Sequence, residues 1–189
     1  MNQFQLFASP WWVNLFILVP FLAYYNWQGK LSIPARIFVY TAAFGAAFGF
    51  MEAATVIYLR GSLGLLAGGA KIFQELVNSE ALSSEFSRRL FLIETFRETA
   101  TIAMLIAIAL ATVSKRYNRW AIFFWVFAFW DIFYYAGLKL ILGWPQSLFT
   151  VDILFLIPVP WYSQVWYPIL ISALLILFVI AGRNKFRKK

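Results

Sequence analysis

The chain has 189 residues, of which 62% are hydrophobic, 21% aromatic and only 13% charged, with a mean hydropathy of +0.74; this excludes an ordinary soluble domain and points to a polytopic integral membrane protein. Cysteine and histidine are both absent, which excludes disulfides, zinc and haem ligation through those residues, and Ser-His or Cys-His nucleophile pairs. The net charge of +8 is read as a topology signal and not as a nucleic-acid footprint, because Lys and Arg in such chains report which side a loop faces.

In chain order, the first expected span is 11–27, WWVNLFILVPFLAYYNW, short and interrupted by Pro20 but flanked by tryptophans suited to a membrane interface. It has no basic leader and no A-x-A site, so a retained helix is expected rather than a cleaved signal peptide. The second span covers 36–59 and the third 90–113, each long enough to cross about 30 Å of hydrocarbon at about 1.5 Å per residue. An outer loop, 61–88, lies between them, and its 71–88 part reads either as an interfacial amphipathic helix or as plain loop. The glycines at 61, 64, 68 and 69 precede no strand, so they are loop residues and not a phosphate cradle. The fourth span is 120–142 and the fifth 167–182. Between them, 143–161 is too short to span and is bracketed by Pro145, Pro158 and Pro160. A re-entrant or interfacial half-helix is expected there, able to act as a lid through Trp144, Asp152 and Trp161. The sequence thus predicts a single all-α membrane domain over 1–189, a bundle of about five transmembrane helices.

With five spans, Lys30 and Arg36, then Lys115, Arg116 and Arg119, then the tail from Arg183 to Lys189 all fall on one side. By the positive-inside rule that side is cytoplasmic, so the expected topology is N-terminus outside and C-terminus inside, in a cell membrane. Contact of the tail with anionic lipid is the secondary interpretation of the same charges.

This orientation places the ionisable residues by depth. Glu52 lies about 12 Å below Arg60, Glu94 and Glu98 about 8 and 14 Å below Arg89, and Asp131 about 16 Å below Leu142. All fall in the outer half, and the inner half is almost purely apolar. Glu94 and Glu98 share a helix face with Arg97 beside them, and Asp131, Tyr135 and Lys139 form an i, i+4, i+8 stripe. Gly45 and Gly49, near the Glu52 face, would let a neighbouring helix approach closely. Four acids therefore face two bases within the spans, Arg97 and Lys139, so the surplus needs protonation, a bound cation or help from Arg60 and Arg89. The candidate binding residues are Glu52, Glu94, Arg97, Glu98, Asp131, Tyr135 and Lys139. A purely structural role, with the acids fixing helix register, stands beside the functional one. EAATV at 52–56 and ETATI at 98–102 look like a repeat, but five residues are easily matched by chance.

The run WDIFYYAGLKLILGWPQSLFTVDILFLIPVPW at 130–161, with MEAATVIYLR at 51–60 and ETFRETATIAML at 94–105, resembles a family of small, uncharacterised prokaryotic polytopic membrane proteins. The resemblance implies that these segments belong together and carries no catalytic assignment.

Three function classes follow. The outer-half cluster binds or transfers a small cation, proton or polar substrate; or the protein is an accessory or assembly subunit of a larger membrane complex, or a homo-oligomer; or it is an outer-leaflet lipid-modifying enzyme with Glu98 or Asp131 as general base and Arg97 or Lys139 on an anionic head group. Whether it is an enzyme stays open. No cofactor is predicted, although a divalent cation such as Mg²⁺, Ca²⁺ or Mn²⁺ could be held by carboxylates. The expected partner is the lipid bilayer, not nucleic acid.

Overall fold

The structure, a computed structural model, describes residues 7–26, 31–62 and 85–185. A 3₁₀ helix, Trp11–Leu18, runs into α1 (Val19–Asn26); then come α2 (Ala35–Ser62), α3 (Glu85–Thr112), α4 (Arg116–Leu142), β1 (Val151–Phe155), β2 (Trp161–Gln164) and α5 (Trp166–Lys185). Among the described residues, three helical segments are long and apolar enough to cross a membrane, Ala35–Leu59, Arg116–Leu142 and Trp166–Arg183. Helix α3 has the same 28 residues as α2, but Glu94, Arg97 and Glu98 sit in its first half. The N-terminal apolar helix is shorter, Trp11–Leu22, and Pro20 falls in the first turn after 3₁₀ geometry gives way to α, where a missing N–H costs least. Of the expected outer loop, 61–62 close α2 and 85–88 open α3; the rest of the loop lies outside the described residues, as does most of the interfacial helix expected at 71–88. The side chains of Arg60 and Arg89 are outside them too.

Helix α4 is the centre of the bundle and packs against α2, α3 and α5. Its contact with α2 is backbone against backbone. A Cβ on Gly49 would lie 2.2 Å from the Trp130 carbonyl oxygen, and one on Gly45 2.7 Å from that of Val126. In return a Cβ on Gly137 would meet Ala53 at 2.9 Å. Small residues on both helices therefore remove the usual side-chain spacing, which suits a setting where packing and not the hydrophobic effect drives helix association. Trp125 adds a bond from its indole N–H to the Phe38 carbonyl, 3.0 Å. Arg119 donates to the Val113 carbonyl at 3.0 Å, closing the short turn from α3 into α4. At the end of the bundle away from the hairpin the core is apolar, built from Leu105, Ile122, Phe124, Val126, Leu175 and Phe178.

The segment between α4 and α5 corrects the sequence expectation. It is not a half-helix but a β-hairpin, with Val151 opposite Gln164, Asp152 opposite Ser163, Ile153 opposite Tyr162 and Phe155 opposite Trp161, and an irregularity between Ile153 and Phe155. Thr-Val-Asp-Ile-Leu-Phe is rich in β-branched and aromatic residues, and Pro158 and Pro160, which have no N–H to give a ladder, fall in the connection. Ser9 extends the hairpin edge: its N–H donates to the Tyr162 carbonyl (2.8 Å) and its carbonyl accepts the Tyr162 N–H in return (2.7 Å). Gly143, with φ +67°, ends α4 in the left-handed conformation that favours glycine.

Gly49→Ala is expected to lower stability by about 1–3 kcal/mol through overpacking against the Trp130 carbonyl. Gly182→Ala, whose added Cβ meets only Leu31 at 3.4 Å, is expected to be neutral or slightly stabilising because alanine is the better helix former. Thermal unfolding in detergent, followed by circular dichroism, checks both; equal midpoints for the two variants would contradict the close-packed seam.

Candidate functional site

Helix α3 presents Glu94, Arg97, Glu98 and Thr101 at i, i+3, i+4 and i+7, a single face that points into the bundle. Across it stands Glu52 of α2, 5% exposed. The Arg97 guanidinium forms ion pairs with both Glu52 and Glu94, the latter through Nε and a terminal nitrogen, each 2.7 Å from Glu94 Oε2. The other oxygen of Glu52 accepts the Thr101 hydroxyl at 2.6 Å. One base thus serves two acids, and Thr101 supplies a donor that Arg97 cannot.

Glu98 turns the other way, to the hairpin. Its two carboxylate oxygens share the Leu156 N–H at 3.0 and 2.9 Å, so α3 holds the first strand just past its end. On α4, Asp131 is 7% exposed and accepts the Ser172 hydroxyl of α5 at 2.8 Å. One turn further along, the Tyr135 hydroxyl donates to Asp152 of β1 at 2.9 Å. Each of these acids is held by a group from a different element, so the polar contacts tie α2 to α3, α3 to the hairpin, α4 to α5 and α4 to the hairpin.

These residues surround a cavity of about 690 Å³. Six of the seven expected binding residues line it, Glu52, Glu94, Arg97, Glu98, Asp131 and Tyr135. Lys139 does not. It is exposed and its ammonium donates to the carbonyls of Gly143 (3.1 Å) and Pro145 (2.9 Å), fastening the turn after α4. Helix geometry explains the difference: at about 100° per residue, eight residues rotate a side chain about 80° past its starting direction, where four rotate it only about 40°. Of the expected lid, Asp152 and Trp161 line the cavity. Trp144 instead packs beside Tyr135, ring centroids 6.5 Å apart.

The remaining wall is mainly aromatic and aliphatic, with Phe123, Phe127, Trp130, Tyr134, Phe155 and Trp161 prominent. Trp161 also stacks on Phe16 from the N-terminal segment, 5.2 Å between centroids. The buried indole N–H groups of Trp130 and Trp161 have no hydrogen-bond partner among the described residues. Among those residues, no group of three acidic side chains is placed to hold a metal ion.

The sequence reading missed Thr101, Ser172, the Leu156 N–H and the Trp130 indole. Ser172 carried a signal, as the one hydroxyl between Tyr167 and Arg183 in an otherwise apolar run. Thr101 carried one as well, completing the i+7 position of the α3 face. The Leu156 N–H had none, because a backbone donor becomes visible only once the hairpin is formed.

Removing Arg97 alone, as Arg97→Met, is expected to destabilise the fold by about 3–5 kcal/mol, since it strands two buried carboxylates. The triple variant Arg97→Met with Glu52→Gln and Glu94→Gln should recover most of that loss. Thermal or denaturant unfolding of both in one detergent checks this; a triple variant no more stable than the single one would show that Arg97 does not serve as the counter-charge.

Comparison with protein-family models, with curated proteins and with solved structures gives no match.

Proposed function

We propose that the chain is an integral membrane protein of about five spans, with the N-terminus outside and the C-terminus cytoplasmic, whose outer-half cavity binds or transfers a small cation, proton or polar substrate. The three membrane-length helices support the membrane assignment. In this reading α3 is a further span, its charged face turned inward, and the 3₁₀ helix with α1 makes the remaining crossing. At about 2.0 Å per 3₁₀ residue and about 1.5 Å per α residue, their eight residues each reach roughly 28 Å if aligned, close to the hydrocarbon thickness. The chain is then of one kind with the small prokaryotic polytopic membrane proteins that it resembles.

The observation that carries the functional proposal is the convergence of polar groups from α2, α3, α4 and the hairpin on one cavity. A set of acids needed only to fix helix register would be packed closed, with each group buried against its partner. Here instead, among the described residues, five acids, Glu52, Glu94, Glu98, Asp131 and Asp152, and one base, Arg97, border about 690 Å³ of space. That excess of formal negative charge favours a cationic or proton-donating occupant. The aromatic hairpin and N-terminal segment above it are suited to cover the bound species from the outer side.

Two measurements test the proposal. Reporter fusions should place the C-terminus inside and the N-terminus outside; the reverse orientation would put the cavity in the cytoplasmic half and overturn the direction of access. Thermal-shift screening of the purified protein against inorganic cations, organic cations and neutral polar solutes should find stabilisation of the wild type, about 2.7 kcal/mol at one hundred times Kd. Ile171 of α5 lines the cavity, and the variant Ile171→Trp, which fills it, should lose that stabilisation. A wild type that no solute stabilises would point to the accessory-subunit alternative.

A further inference from the structure

The charges around the cavity are not spread evenly. Arg97 is committed to Glu52 and Glu94, and Glu98 takes the Leu156 N–H on both oxygens. At the α4–α5 side Asp131 has a different environment. One of its oxygens accepts the Ser172 hydroxyl and the other has no hydrogen-bond partner among the described residues. Among the described residues no cationic side chain pairs with it, and Lys139 is spent on the carbonyls after α4. The Asp152 carboxylate is close enough to act on it electrostatically and adds negative charge.

The cavity that Asp131 lines is also lined by a group of rings. Trp130 and Tyr134 stack with centroids 6.3 Å apart, and Phe155 of the hairpin lies 6.4 Å from Trp130. Trp161 sits 5.4 Å from Phe155. All four line the cavity. Trp130 is only 7% exposed, yet its indole N–H has no acceptor among the described residues. A buried indole donor usually has one, so an acceptor carried by an occupant is the natural complement.

A metal ion fits this place poorly, because it needs several oxygens at short range and the wall offers mostly rings. An anion fits worse, since the one arginine is already taken. Resting on the cation-binding function proposed above, we propose that the occupant is an organic amine: a protonated ammonium held by Asp131, an apolar or aromatic body against Trp130, Tyr134, Phe155 and Trp161, and a hydrogen-bond acceptor for an indole N–H. The ring faces attract the cation while the carboxylate neutralises it. A cavity of about 690 Å³ takes such a molecule of medium size.

Calorimetry on the protein in lipid nanodiscs would compare 2-(4-methoxyphenyl)ethylamine, whose ether oxygen supplies the acceptor, with its neutral counterpart 2-(4-methoxyphenyl)ethanol, and both with NaCl and MgCl₂. The amine is expected to bind the wild type at least about tenfold more tightly than the alcohol, and Asp131→Asn to remove that preference, as losing a charged hydrogen-bond partner does. Trp130→Phe keeps an aromatic ring at this wall position and should weaken amine binding about threefold more than it weakens alcohol binding; it carries the test should Asp131→Asn fail to fold. Equal affinities for amine and alcohol, or amine binding indifferent to both variants, would overturn the amine assignment. If Na⁺ or Mg²⁺ binds with Ile171→Trp abolishing it, and the amine does not bind, the cavity remains a cation site and only the substrate class fails. If none of the probes binds, the amine assignment fails, and the thermal-shift screen decides the cavity's function separately.

Discussion

At Gly49 the backbone of α2 comes so close to α4 that an added Cβ would lie 2.2 Å from the Trp130 carbonyl oxygen, and the position of everything at the hairpin end follows from that approach. Three residues on, a little less than one turn, stands Glu52, whose oxygens are thereby set at the height of Arg97 and Thr101 on α3. On the α4 side the same turn carries Trp130 and Asp131, one ring and one carboxylate at the cavity wall. With larger residues at 45 and 49 the two helices would separate by the width of a side chain, and α3 could no longer reach across to Glu52 while also packing on α4.

The polar groups are arranged so that Glu52, Glu98, Asp131 and Asp152 are each held by a group from another element. Glu94 meets Arg97 three residues along α3, but that same guanidinium also reaches Glu52 on α2. A buried ion pair adds little net stability over a well-packed apolar pair, yet breaking one is costly. Networks of this kind therefore act as registration marks, penalising any sliding of one helix past its neighbour. Placing all of them in the half near the hairpin leaves the other half to dispersion and shape, with Leu105, Ile122 and Val126 among the fully buried residues. The result is a bundle with one rigid apolar end and one end whose geometry is set by charge.

Much of this was legible in the residues. Hydropathy located α2, α4 and α5 to within about a turn and α3 to within about a turn and a half, because long apolar runs flanked by charges leave little ambiguity about where such a helix lies. Spacing on α3 grouped Glu94, Arg97 and Glu98, and placement by depth brought Glu52 and Asp131 to their level. What could not be read was of two sorts. The hairpin was misjudged because its prolines and aromatic residues suit a broken helix as well as a strand, and only pairing between 151–155 and 161–164 decides between them. Lys139 was assigned to the site because an i+8 spacing suggests a shared face, whereas accumulated rotation and the free carbonyls after α4 take its ammonium elsewhere. Partners such as Ser172 depend on how α5 turns toward α4, a long-range fact that a single helical run does not encode.

The cover over the cavity joins the two ends of the chain. Ser9 pairs with Tyr162, and the Tyr167 hydroxyl donates to the Val13 carbonyl across 154 positions of sequence. Contacts this distant form last, since the intervening chain must be ordered before they can close. During synthesis, then, the N-terminal segment leaves the ribosome long before its partner strand exists. Until β2 and the start of α5 are made, the acid-lined face of α2 and α3 has no roof. Closing the cavity therefore waits on the segment from Trp161 onward, so β2 and the start of α5 decide when its walls are complete.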